Sequence, residues 1–391
     1  MRSLFGKLAL FGLALAPALL AAPPAVSKAP AEPDSRVELG RRIFFDPAFS
    51  EPRGTSCASC HDPARAYAGD HGSGLGVALG SRPGVLARRS TPSLYYLKYV
   101  PKFRFFSDDS DKHALDLEPY GGFFWDGRSD SISELVQQPL LNPREMNNRD
   151  LPQLADKLRH APYAAAFRKL FPGALDDPKT SMAALGAALE AFLTSPEMAP
   201  FSSKFDDYVR GLVKLSPLEA RGLELFKDPK RGNCAECHLL KDTSRNPEDS
   251  LFTDYGYEAV GAPRNGKLQK RDEDRGLCER TDRDNPSNDT QWCVSFRTPS
   301  LRNVALRNGL MHNGSFTSLR EVVRFYATRA TNPERWYPSG VPFDDTPVPY
   351  RGLVDVASVP YNRGVGARPA LTEAEIGAVV AFLGTLTDRP R

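Results

Sequence analysis

The pentapeptides CASCH (57–61) and CAECH (234–238) decide the fold of this chain. C-x-x-C-H is the attachment signature of c-type haem, in which two thiols add to the vinyl groups of one porphyrin and the adjacent histidine becomes the proximal iron ligand. A thioredoxin-like redox pair and half of a zinc site are the alternatives for such a motif. Because each motif carries its own histidine, the sequence predicts two covalent haems. The predicted haem residues are Cys57, Cys60 and His61, and Cys234, Cys237 and His238.

The sequence around the two motifs also repeats. SRVELGRRIFFDP (35–47) and SPLEARGLELFKDP (216–229) lie upstream of them, and each predicts a capped amphipathic helix that ends at Asp-Pro. LGAALEAFL (185–193) and IGAVVAFLGTL (376–386) predict an apolar helix that closes each half.

Helix, haem loop and closing helix is the order of a class I cytochrome c domain. The sequence therefore predicts a mainly α fold with two tandem class I cytochrome c-like haem domains and long loops. The predicted domains span residues 35–205 and 206–391.

The N-terminus is typical of a secretory signal peptide. Arg2 and Lys7 precede an apolar run, Leu8–Leu20, and small residues at 21 and 22 offer a cleavage site. A membrane anchor is the alternative, but the apolar run is shorter than the roughly 20 residues that a span needs. We predict a signal peptide at 1–22, a disordered leader at 23–34, and a periplasmic mature chain without a membrane span. A net charge of +3 gives no indication of nucleic-acid binding.

The remaining cysteines, Cys278 and Cys293, bracket a polar loop. In an oxidising compartment a disulfide between them is the expected arrangement. Sequence alone does not show whether their geometry permits the bond.

Three further segments carry a family resemblance: RRSTPSLYYL (88–97), FFWDGRSDSISELVQQPLLNPREM (123–146) and FRTPSLRNVALRNGLMHNGSFTSLREVVRFY (296–326). With them, the chain resembles the bacterial dihaem cytochrome c peroxidase and MauG family from about residue 35 to its C-terminus. The resemblance implies that the N-terminal haem reacts with hydrogen peroxide and that Trp125 relays charge between the haems. It also implies that Glu145 is the distal carboxylate, which takes a proton from bound peroxide and returns it to the departing water.

Some positions depart from the family pattern. Leu135 stands where the family usually has a glutamine that orients the distal carboxylate. Many members bind calcium between the haems through an asparagine and backbone carbonyls, and this chain has Ser90, Arg307 and Gly309 at those positions. The asparagine is absent but carbonyls remain, so the sequence leaves calcium open.

The family's loop histidine, which caps the peroxidatic iron, is also absent. Its place falls near Arg82, while His71 lies some ten residues earlier and is either a ligand that swings in or an exposed loop residue. The sequence thus predicts a permanently open peroxidatic site, as in MauG. By the same resemblance, His312 and Met311 fall near the second haem. His312 is expected to be structural or to support another ligand rather than to bind iron, and Met311 is a less favoured alternative as a soft iron ligand.

Tyr326 ends an apolar stripe of helical spacing that also contains Leu319, Val322 and Val323. An inward tyrosine is by itself usually a core residue. The resemblance places Tyr326 at the position of the sixth ligand of the C-terminal haem, where ordinary members have methionine and MauG has tyrosine. A phenolate is a harder ligand than a thioether and stabilises higher oxidation states of iron.

Three functions follow from these observations. The first is a MauG-like peroxidase that stores oxidising equivalents and oxidises a partner protein or a small redox donor. The second is a conventional peroxidase that removes hydrogen peroxide with electrons from a small cytochrome or cupredoxin, and the third is a non-catalytic electron carrier. Trp292 and Trp336 are candidate surface exits for charge. The sequence identifies neither the donor nor the oligomeric state.

Overall fold

Helices dominate the structure, a computed structural model that describes residues 35–106, 118–268, 273–280 and 290–390. The α-helices are α1 (Arg36–Phe45), α2 (Cys57–Cys60), α3 (Ile132–Leu141), α4 (Leu151–Arg159), α5 (Ala164–Leu170), α6 (Pro178–Leu193), α7 (Lys204–Val209), α8 (Pro217–Lys227), α9 (Leu319–Thr328) and α10 (Glu373–Gly384). The strands are β1 (Arg104–Phe106), β2 (Glu118–Tyr120), β3 (Tyr257–Glu258) and β4 (Phe296–Arg297), and they form the antiparallel pairs β1–β2 and β3–β4. The prediction of a mainly α fold is confirmed.

Two earlier predictions concern the ends of the chain and its membrane topology. The predicted signal peptide and leader, residues 1–34, lie outside the described residues. No described helix is both long and apolar enough to cross a membrane.

Capping side chains set the ends of α1 and α8. The hydroxyl of Ser35 accepts a hydrogen bond from the backbone N–H of Glu38 at 3.2 Å, and Ser216 does the same for Glu219 at 3.4 Å. Each helix ends at an aspartate that precedes a proline, which cannot continue the hydrogen-bonding pattern. Both helices therefore lie where their sequence signals predict.

A glycine lets each of these helices pack closely against a closing helix. A Cβ atom on Gly40 of α1 would lie 1.9 Å from the carbonyl oxygen of Ala188 in α6. A Cβ atom on Gly222 of α8 would lie 2.0 Å from the carbonyl oxygen of Ala378 in α10. Any larger residue would push the helices apart, so the two crossings depend on the same residue type in equivalent places.

The buried apolar side chains form two large clusters. The first cluster runs from Leu39 to Met198 and the second cluster from Phe205 to Leu386. Phe205, which the predicted boundary assigns to the first domain, packs in the second cluster. The division into two tandem domains stays a prediction, and residues 199–204 lie between the two clusters.

Candidate functional site

A cavity of about 620 Å³ brings together the predicted residues of the first haem site. Cys57, Cys60 and His61 line it from α2, Trp125 lines it from the segment before α3, and Glu145 from the turn after α3. The volume lies within the range of cofactor pockets, about 300–1,000 Å³. The two thiols are free of disulfides, so they are available for attachment.

His61 is held in the state that a proximal ligand requires. Its Nδ1 atom is 2.8 Å from the carbonyl oxygen of Tyr67, to which it donates in the neutral ring. Burial lowers the pKa of His61 to about 4, so the imidazole is uncharged at neutral pH. With the proton on Nδ1, the lone pair of Nε2 is available to a metal. The residues of this cavity therefore fit a c-type haem.

The second motif has the same local arrangement. The Nδ1 atom of His238 is 3.0 Å from the carbonyl oxygen of Phe252, and burial lowers the pKa of His238. Tyr326 of α9 is half-buried against the second cluster, close enough to Cys234 and Cys237 for their thiols to affect its pKa. Burial is the main cause that raises the pKa of Tyr326. The second motif and its neighbour thus bring two thiols, an imidazole and a phenol into one region of the fold.

Two copies of the tetrapeptide T-P-S-L support the histidines, and our sequence reasoning did not recognise them as a repeat. They occupy 91–94 and 298–301. Ser93 donates to the carbonyl of Ala66 at 2.6 Å, and Ser300 donates to the carbonyl of Leu251 at 2.7 Å. Each of these carbonyls lies one residue before the carbonyl that accepts from the histidine. The repeated tetrapeptide thus fixes the loop that orients each imidazole.

Glu145 is oriented by a residue that the sequence analysis missed. The side-chain amide of Asn142 donates to Oε1 of Glu145 at 2.7 Å. Burial raises the pKa of Glu145, while the charge of Arg128 and the Asn142 hydrogen bond oppose that rise. Leu135, at the position of the family glutamine, lines the same cavity through an apolar side chain. The sequence did contain a signal for this bond, because Asn142 begins the N-P-R-E turn and asparagine side chains often form local hydrogen bonds in turns.

Trp125 is buried beside the first cavity, with 7% of its surface exposed. Its indole N–H donates to the carbonyl of Ser90 at 2.8 Å. Its own carbonyl accepts from the backbone N–H of Arg297 at 2.8 Å, and the guanidinium carbon of Arg307 lies 5.7 Å from the ring centre. Segments from both halves of the chain therefore hold this ring.

The loop where a capping histidine would lie is folded onto the Glu145 turn. The backbone N–H of Ser81 donates to the carbonyl of Glu145 at 2.7 Å, and Arg82 donates to the carbonyl of Pro143 at 2.8 Å. His71 is half-buried, with its Nδ1 atom 2.8 Å from the carbonyl oxygen of Leu79. Neither His71 nor Arg82 lines the cavity.

The other residues of interest lie outside the cavity. His312 stacks on Phe296 with ring centres 3.6 Å apart, and its Nε2 atom is 3.7 Å from a carboxylate oxygen of Asp345. The carbonyl of Met311 accepts from the Ser90 hydroxyl at 2.6 Å. Trp336 is buried, so the prediction that it is a surface residue is wrong, because its ring packs in the second cluster.

Trp292 and the last two cysteines lie near each other in the sequence. Trp292 is half-buried and packs against a small cluster that contains Tyr257. Cys278 and Cys293 form a disulfide with their Cα atoms 4.9 Å apart, which ties the two ends of the polar loop together.

Comparison with known proteins agrees with this geometry. Residues 34–214 match the family described as di-haem cytochrome c peroxidase. The methylamine utilization protein MauG of Paracoccus denitrificans is 35% identical over 96% of this chain and 95% of that protein. The cytochrome c551 peroxidase of Pseudomonas aeruginosa is 29% identical over 73% of this chain and 70% of that protein.

Solved structures give the same result. The diheme peroxidase BthA of Burkholderia thailandensis is 46% identical, covers 92% of this chain and 87% of its own, and has a TM-score of 0.85. A MauG-like protein associated with microbial copper homeostasis is 25% identical, covers 94% of this chain and 93% of its own, and has a TM-score of 0.63. The chain belongs to the di-haem cytochrome c peroxidase and MauG family of oxidoreductases.

Proposed function

We propose that this chain reduces hydrogen peroxide at a haem attached to Cys57 and Cys60, with His61 as proximal ligand. A second haem is attached to Cys234 and Cys237 with His238 as its ligand. One observation carries this proposal: a single cavity unites the first C-x-x-C-H motif with a buried carboxylate, Glu145, that an amide orients.

Acid–base chemistry in the cavity belongs to Glu145. When bound, haem supplies an iron that takes peroxide as a ligand and a ring system that accepts oxidising equivalents. Glu145 in its ionised form takes a proton from one peroxide oxygen and returns it to the other as water departs. Asn142 holds the carboxylate in place for both transfers, and the apolar side chain of Leu135 keeps competing hydrogen bonds away from this face.

Trp125 and Tyr326 carry the MauG-like part of the proposal. Trp125 lies at the edge of the first cavity between segments of both halves, so it is placed to give an electron to one site and regain it from the other. Tyr326 would bind the iron of the second haem, where an anionic phenolate would favour the oxidised states. The electron donor is a protein or a small redox molecule that reacts from outside the cavity.

The organisation of the mature protein follows from the same features. We infer two tandem cytochrome c-like domains, supported by the two apolar clusters, the two glycine crossings and the two T-P-S-L segments. A periplasmic location is supported by the signal-peptide pattern, two haem attachment motifs and the Cys278–Cys293 disulfide.

Calcium is not needed between the haems of this chain, in our proposal. The Ser90 hydroxyl is committed to the Met311 carbonyl, and the buried cation of Arg307 lies beside Trp125. Elemental analysis of protein purified in the presence of calcium should find iron but no stoichiometric calcium.

Addition of stoichiometric hydrogen peroxide to the diferric protein tests the function. We expect an immediate reaction and a long-lived near-infrared absorption band. Glu145→Gln should reduce the rate of the reaction, and the rate at which the band forms, by at least tenfold, since acid–base catalysis usually contributes 10²–10⁴-fold. Reaction only after one-electron reduction would favour the conventional peroxidase. No reaction in either state would favour the electron carrier.

A further inference from the structure

Several buried or nearly buried arginines have carboxylate partners, while Arg329 bonds to the backbone carbonyls of Val260 and Asp355 instead. Arg302 and Asp206 are both fully buried, and their charged atoms are 2.9 Å apart. Arg89 lies 2.6 Å from Asp126 and 2.6 Å from Asp274. This is the normal requirement, because a guanidinium taken out of water is strongly destabilising unless an anion accompanies it.

Arg307 is an exception. Only 8% of its surface is exposed, its Nε atom has no hydrogen-bond partner, and its best contact is a 3.4 Å bond from Nη2 to the carbonyl of Thr91. Burial alone lowers the pKa of Arg307 to about 10, without a neighbouring acid that opposes the change. No carboxylate of the described residues therefore neutralises this cation.

Arg297 is a second exception. Its side chain lines the first cavity, donates from Nε to the carbonyl of Phe124 at 3.2 Å, and forms no ion pair with any residue in the described part of the chain. Its neighbours from the packed elements are Tyr255, Tyr257 and Asp254, and burial outweighs their effect and lowers its pKa. Its backbone bonds to Trp125, so Arg297 and Arg307 both lie against that residue.

Arg297 lines the cavity and is half-buried, and the buried Arg307 lies behind the lining residues Trp125 and Thr91. Two guanidinium groups without an ion pair at one side of a cavity predict an anionic occupant. The planar fork of arginine matches the two oxygens of a carboxylate, and each such pair is a charge-assisted hydrogen bond. A haem carries two carboxylate groups on one edge. We infer that Arg297 and Arg307 bind the carboxylate groups of the first haem and hold that edge toward Trp125. The inference rests on the proposed attachment of haem at Cys57 and Cys60, and it is independent of the reaction with peroxide.

The two cations would affect the haem in a measurable way. A positive charge near the iron favours the ferrous form, so the loss of one guanidinium lowers the midpoint potential. The carboxylates would also lose their hydrogen-bond donors, which changes their vibrations. An arginine that does not bind the haem carboxylates would leave their vibrations unchanged while the haem stays attached.

Four variants of the full-length holoprotein test the site: Arg297→Gln, Arg307→Gln, Arg307→Lys and, as a control, Arg210→Gln. Arg210 bonds to the Phe201 carbonyl and lies near Asp207, away from the cavity lining. The measurements are haem stoichiometry, the carboxylate bending bands in resonance Raman spectra, and the midpoint potential of each haem. The absorption bands of the two haems are followed separately during the titration.

We expect both glutamine variants to shift the carboxylate bands and to lower the potential of the first haem. Arg307→Lys should keep the potential close to that of the unchanged protein, and Arg210→Gln should change neither quantity. Unchanged bands in Arg297→Gln and Arg307→Gln at full haem content would overturn the inference. If Arg307→Gln does not retain haem, Arg307→Lys tests the inference instead. A lysine keeps the positive charge but lacks the planar guanidinium, so the carboxylate bending bands of this variant must shift if the inference is right. Shifted bands in a protein inert to peroxide would reject the proposed function and leave this inference standing.

Discussion

The carboxylate of Glu145 depends on one neighbour for its direction. Asn142 begins the turn that Glu145 ends, and its amide reaches Oε1 while its own oxygen accepts from the backbone N–H of Arg144 at 2.9 Å. The amide donates to the ionised carboxylate, so it favours the charged form against the effect of burial. The charge of Arg128 opposes the raised pKa of Glu145 more strongly, and the Asn142 bond adds to that effect while it also orients the carboxylate.

Replacement of Asn142 by leucine should reduce the rate of peroxide reduction by about tenfold or more, because a misdirected base loses part of its 10²–10⁴-fold contribution. The acidic limb of the pH–rate profile should also move to higher pH. Loss of a donor to the ionised form raises the pKa of Glu145 further, and the ionised form is the active one. Stopped-flow kinetics across pH measures both effects.

Gln137→Leu is the matched control for this variant. Gln137 lies on α3 and donates to the Ser133 carbonyl at 2.9 Å. If the acidic limb of the pH–rate profile does not move in Asn142→Leu, or moves equally in Gln137→Leu, Asn142 is not the residue that orients Glu145.

In our proposal, Tyr326 binds the iron of the second haem and so sets its potential. In the variant Tyr326→Met, we expect the midpoint potential of the second haem to rise and the near-infrared band to disappear, since a neutral thioether favours the ferrous form. Spectroelectrochemistry and peroxide titration measure the two changes. Tyr208→Phe, which alters a half-buried tyrosine packed on the same cluster, should leave both unchanged. An unchanged potential in Tyr326→Met would exclude Tyr326 as an iron ligand.

Helix packing around each haem motif depends on one pair of helices. α1 packs on α6 and α8 packs on α10, and in each pair a glycine faces the backbone of the closing helix. Glycine costs helix stability in the interior of α1 and α8, which the close crossing offsets by contact between backbones. Each C-x-x-C-H motif is thus flanked by a helix pair that crosses closely at a glycine.

Gly222→Ala should destabilise the holoprotein by about 2 kcal/mol, because a methyl group 2.0 Å from the Ala378 carbonyl oxygen forces the helices apart. Denaturant unfolding measures the free energy of unfolding. Gly384→Ala is the control: Gly384 ends α10, and no atom lies within 4 Å of an added Cβ, so its effect should be small or slightly stabilising. Equal stabilities of the two variants would show that the crossing tolerates a side chain.

Near the C-terminus, a buried carboxylate connects distant parts of the whole molecule. The hydroxyl of Tyr96 donates to Asp388 at 2.6 Å, the amide of Asn303 donates at 2.7 Å, and the backbone N–H of Ser202 donates at 2.8 Å. These donors come from the first half, the second half and the segment between the clusters. Asp388 thus contributes to the contact between the halves.

Asp388→Ala should lower the free energy of unfolding by several kcal/mol, because each buried donor left without an acceptor costs about 1–3 kcal/mol. In the unchanged protein, the absorption bands of both haems should report the same unfolding midpoint. In Asp388→Ala, the two bands should report different midpoints. The control, Asp156→Ala, removes an exposed carboxylate and should leave the unfolding curve unchanged. A single coincident transition in Asp388→Ala would argue against this role.

Short sequence patterns predicted the local features, and the family resemblance predicted that Trp125 and Glu145 meet the first haem motif. Other long-range contacts were missed. Ser35 and Ser216 predicted the helix starts because a cap acts on residues three positions away. Asn142 was missed because the expected orienting residue was a glutamine ten positions after Trp125, whereas the structure uses a turn neighbour of Glu145. Trp336 was misassigned because burial depends on which elements pack together, which no short pattern encodes. The contact of Arg307 with Trp125 joins residues 182 positions apart (307 − 125), beyond the reach of any motif.

The hydrogen bond from the Trp125 indole to the Ser90 carbonyl has a consequence for the proposed electron transfer through this ring, because it decides whether a proton moves with the electron. An amide carbonyl is a very weak base, so it does not accept the indole proton when the ring gives up an electron. The ring then passes through a protonated radical cation, and the transfer is a pure electron event. Electron transfer through Trp125 should proceed at indistinguishable rates in light and heavy water.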